Sequence, residues 1–113
     1  MNKERKRVIK DGKVAVCYSP GFCEGWSSWA DDDLKETLMF HPAIVNMILK
    51  DKVNQITKKW IIHNLGEKYE NVCTLGLDGL DIEWVPQGSL VRINECDGSE
   101  SVEIYNNNSY VIA

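Results

Sequence analysis

Long apolar runs are missing from this chain: none approaches the roughly 20 residues of a membrane-spanning helix. The basic start, Met1 to Arg7, leads into no such run, which predicts no secretory signal and a cytoplasmic location. Paired cysteines are missing as well. Cys17, Cys23, Cys73 and Cys96 form no C-x-x-C motif, and His41 and His63 lie far from them. Structural zinc usually wants two close-set ligand pairs, so the expectation is four reduced thiols, no metal and no cofactor. G-x-G-x-x-G and the Gly-Lys-Ser/Thr of a P-loop are absent too, which leaves phosphate binding with little support. Positive charge is scarce in the second half. Residues 66–113 carry only Lys68 and Arg92 against nine acids, a net of −7, while residues 1–65 carry +3. The acidic half repels nucleic-acid phosphates and suits a basic protein surface.

What is present suits one α+β domain over residues 1–113, with residues 1–12 as a basic arm that frays or contacts phosphates. At 113 residues, such a domain buries roughly two thirds of its unfolded surface. Asp11-Gly12 signals a turn. In Val14-Ala15-Val16-Cys17-Tyr18, Val14, Val16 and Tyr18 share one face and Ala15 and Cys17 the other. With both faces apolar, the strand is internal to its sheet. Asp31-Asp32-Asp33 starts a short helix near 31–39, and Pro42 starts another. Val53, Ile56, Trp60, Ile61 and Leu65 repeat at helical spacing, and Gly66 follows that helix. Strands are expected at 72–75, 82–85, 90–95 and 100–105, the last two joined by the hairpin signal Asp97-Gly98. The expected order is β-loop-α-α-β-β-β, with an antiparallel sheet of four or five strands and two main helices on one face.

The candidate site is the loop from Tyr18 to Trp29. A solvated connection has no need of two tryptophans. Phe22, Trp26 and Trp29 are candidate anchors, with Tyr18 beside them and Ser19, Ser27 and Ser28 as polar contacts. The plainer reading has the tryptophans closing the core. A second candidate is the acidic patch Asp78, Asp81 and Glu83, where alternate strand positions let two carboxylates converge. Its plainer reading is a solvated rim. No nucleophile, base and oxyanion donor stand together, so no catalytic residue is named.

Val14 to Ser19, Gly25-Trp26-Ser27-Ser28-Trp29, Phe40-His41-Pro42, Ile82 to Gly88 and Asp97 to Ser101 together resemble a family of short phage- and prophage-encoded proteins. The similarity covers most of residues 13–105. The resemblance implies a non-catalytic inhibitor or sponge acting against a bacterial defence system. Its expected partner is a host protein or a small nucleotide-like ligand, with no membrane and no direct nucleic-acid binding, and a homodimer is expected. The alternatives are a small enzyme acting on a nucleotide or peptide, and a structural protein of a mobile element.

Overall fold

The computed structural model describes residues 7–21, 24–105 and 111–113. The class is α+β, as the sequence predicts. β1 (Ile9–Lys10) and β2 (Lys13–Tyr18) form a hairpin over Asp11-Gly12. The φ values there, 53° and 76°, are the two left-handed values a type I′ turn requires. β3 (Asp81–Pro86) runs antiparallel to β2, from Lys13 opposite Pro86 to Tyr18 opposite Asp81. β2 is thus the middle strand, and Val14 to Cys17 are fully buried. Val14 and Val16 enter one core cluster with Phe40, Val85 and Val91. Cys17 enters another with Trp26, Leu38, Ile44 and Ile61. Core on both sides of β2 is what its two apolar faces demand.

β4 (Leu90–Cys96) and β5 (Ser99–Tyr105) make a second hairpin, in register from Leu90 opposite Tyr105 to Cys96 opposite Ser99. Its turn, Asp97-Gly98, has φ of 51° and 86°, again type I′. β6 (Val111–Ile112) pairs with Leu90 and Val91 on the other side of β4. The single sheet of four or five strands is therefore corrected to two three-stranded antiparallel sheets. They meet where the Glu100 N–H donates to the Ser19 carbonyl at 2.8 Å. The strand expected at 72–75 does not form. Local turns take its backbone groups: Val72 N–H donates to Tyr69 O and Leu77 N–H to Thr74 O.

Three α-helices stand at the three places the sequence marks: α1 (Asp32–Phe40), α2 (Pro42–Leu49) and α3 (Lys58–Leu65). α2 begins at Pro42, as read, and His41 Nδ1 accepts from the Ala43 N–H at 3.0 Å. α3 starts later than the apolar spacing suggests. Thr57 caps it, its Oγ1 accepting from the Trp60 N–H at 3.1 Å, and Val53–Gln55 is a separate 3₁₀ turn. α1 divides its apolar residues between the clusters, Leu34 and Leu38 to one, Met39 and Phe40 to the other. The expected basic arm falls partly outside the described residues. Of its described part, Arg7 is docked: its guanidinium lies 3.8 Å from the Phe40 ring centroid and 2.7 Å from Glu36 Oε2, and donates to Ile112 O. Among the described residues, no helix is long and apolar enough to cross a membrane.

Candidate binding site

The loop after β2 is organised by a residue that the sequence reading did not single out. In β5, alternation puts Glu100 on the same face as Val102, toward the core, and only 2% of it is exposed. Its Oε1 accepts from the Ser19 N–H at 2.9 Å. Its Oε2 accepts from the Trp26 N–H at 2.6 Å, the Ser28 N–H at 3.0 Å and the Ser28 hydroxyl at 2.6 Å. Four donors suit an acceptor-only carboxylate and offset the cost of burying it. Ser19 Oγ donates to Glu24 O, and Ser99 Oγ donates to Pro20 O. The loop is thus wound tightly onto the start of β5. Gly76 lets the chain pass close behind it: a Cβ there would lie 2.5 Å from Ser19 Oγ and 2.8 Å from Glu24 O.

This winding separates the predicted site residues. Trp26 is 1% exposed, and its indole N–H donates to Leu38 O at 3.0 Å. It is a core residue that offers no surface to a partner. Ser19 is fully buried, and Ser28 is engaged by Glu100. Tyr18 is half-buried, and burial, then the Asp81 and Glu83 charges, push its phenol up. Trp29 alone among the described aromatics of the loop presents a broad ring to solvent, at 46% exposure, with its N–H 3.3 Å from Glu95 Oε2. Gly25 makes room for it, since a Cβ there would lie 2.5 Å from the ring. Ser27 is buried, and its hydroxyl has no hydrogen-bond partner among the described residues. Phe22 lies outside the described residues, as does Cys23. In the acidic patch, Asp81 and Glu83 share one exposed face of β3, Asp81 accepts from the Ile82 N–H, and Asp78 is exposed in a separate 3₁₀ turn. No group of three or more His, Cys, Asp or Glu residues placed to hold a metal occurs among the described residues.

The site that emerges is a groove of about 570 Å³ between α1 and β4, with Ser27 and Ser28 in its wall. That volume is within the range of small-molecule sites. From α1 come Asp32, Lys35, Glu36 and Met39, an i, i+3, i+4, i+7 stripe along one side of the helix. From β4 come the consecutive residues Arg92 to Glu95. Lys35 pairs with Asp32 at 3.5 Å, Arg92 with Glu103 at 3.3 Å, and Glu36 with Arg7. Glu95 instead accepts from neutral donors, the Gly98 N–H at 2.7 Å and the Trp29 indole. Among the described residues, the lining holds no histidine and no cysteine. For Glu100 the signal available in the sequence is the alternation of β5, which turns it inward. Comparison with protein-family models, with curated proteins and with solved structures finds no match.

Proposed function

We propose that this chain is a small, non-catalytic accessory protein of the phage type, which holds a component of a bacterial defence system through the groove between α1 and β4. The observation that carries the binding reading is the groove itself, with a shielded Ser27 hydroxyl in its wall that lacks a partner among the described residues. Such orphaned buried polar groups are uncommon and call for an explanation, and a bound partner supplies one. The phage and anti-defence parts rest on the sequence resemblance. Of the two partner classes, a host protein fits better than a nucleotide-like ligand. Three carboxylates line the groove, and its two cations are already engaged by acids, so a phosphate would meet net repulsion. The setting is the host cytoplasm. Self-association is part of the proposal, motivated by exposed Ile104 and Ile112 on the second sheet. Sedimentation as a 12.9 kDa monomer at high micromolar concentration removes that part.

The test is a native mass spectrum of the full chain purified from its host. The expected result is a retained protein, lost from Asn94→Trp, which fills the groove, at unchanged melting temperature. A retained nucleotide, or retention unaffected by Asn94→Trp, overturns the reading.

A further inference from the structure

Among the described residues, β4 has an open edge. Its whole length pairs with β5, but on the other side only Leu90 and Val91 are paired, to β6, among the described residues. Successive strand residues point to opposite faces. A groove lined by four in succession, Arg92 to Glu95, therefore runs along the strand's edge and not over one face. Such an edge presents a row of backbone donors and acceptors. α1 forms the opposite wall, so the groove is a slot between a helix and a strand edge, in line with β6. Four residues of added strand span roughly 13 Å.

Resting on the reading of this groove as the binding site, we propose that it takes an extended, basic peptide segment of the partner protein, which adds to β4 as a strand. Main-chain pairing supplies affinity and alternate side chains supply specificity in this mode. Two features select the side chains. At one end, Glu95 has no cationic partner among the described residues and sits against the half-exposed Trp29 ring. An arginine or lysine there meets a carboxylate and an aromatic face together. Farther along, the half-buried Ile93 offers an apolar contact to a residue two places away. The acidic balance of the chain, −4 overall, steers a basic segment to this slot.

The test uses the full chain and a random decapeptide display library. One selected peptide is then followed by amide hydrogen exchange and by titration. The expected peptides are rich in arginine or lysine, slow exchange at those amides of 92–95 that point away from β5, and bind Glu95→Gln about tenfold more weakly or worse, with the melting temperature of that variant preserved. Acidic selected peptides, or peptides that protect other residues, overturn the inference. So does full protection of Arg92 to Glu95 in the free chain, which would mean that the edge is already filled. If the edge stays unprotected while the host protein is still retained and released by Asn94→Trp, the peptide inference fails and the groove reading survives. If Asn94→Trp releases nothing, both fail.

Discussion

At the scale of single residues, one buried carboxylate determines what the aromatic loop can do. Removing it in Glu100→Ala strands four donors, each costing about 1–3 kcal/mol when left unpaired. Some of that is offset by no longer burying the acid, so a loss of about 3–5 kcal/mol is expected, read from urea midpoints. The two tryptophans separate in the same assay. Trp26→Ala empties a core site and costs about 3–5 kcal/mol. Trp29→Ala changes stability by under about 1 kcal/mol, and its effect falls on partner retention. Cys17 adds a pH dependence. Burial, reinforced by the Glu100 and Asp81 charges, pushes its thiol well above the ordinary 9.0. The unfolded thiol ionises first, so unfolding releases a proton at alkaline pH. The stability due to the protonated thiol is complete below about pH 9 and is lost above it, at about 1.4 kcal/mol per pH unit. Urea midpoints at pH 7.5 and pH 10 should show a smaller fall for Cys17→Ala than for the parent. Little of this was legible from composition. Two tryptophans three apart look alike in a sequence, and only the Glu100 anchor turns one inward and the other out.

At the scale of elements, helix ends and turns carry the local information. Asp11-Gly12 and Asp97-Gly98 were legible because a type I′ turn needs two left-handed residues and few sequences supply them. The start of α3 was misread because apolar spacing continues through Val53 and Ile56, whereas the Thr57 cap sets the boundary. α2 ends in a device that the sequence hides. Asp51 has φ of 60°, with Lys52 N–H donating to Met47 O and Asp51 N–H to Ile48 O, the two bonds of a Schellman motif. Glycine is the usual residue at that left-handed position, and a residue with a Cβ is strained there. Asp51→Gly should therefore stabilise the protein by about 0.5–1 kcal/mol, measured as a raised urea midpoint with unchanged slope.

At the scale of the whole molecule, the sequence carried the α+β class and the internal position of β2, because alternation and a doubly apolar strand are one-dimensional signals. It did not carry the division into two sheets. The two sheets meet through contacts between Ser19 and Glu100, residues 81 apart in sequence. It did not carry the groove either, since the solvated-looking face of α1 becomes a wall only once β4 lies opposite. The central claim is that a partner sits in this groove, which takes Ser27 and Ser28 from the end of the aromatic loop, and not on the rest of that loop or on the Asp78, Asp81 and Glu83 patch. The most direct measurement is amide hydrogen exchange on the full chain, free and bound to the protein it retains from its host. Slowed exchange should concentrate in 32–39 of α1 and 92–95 of β4, with residues 78–83 unchanged. Protection centred on 78–83, or on 18–21 with α1 and β4 unaffected, would contradict the account.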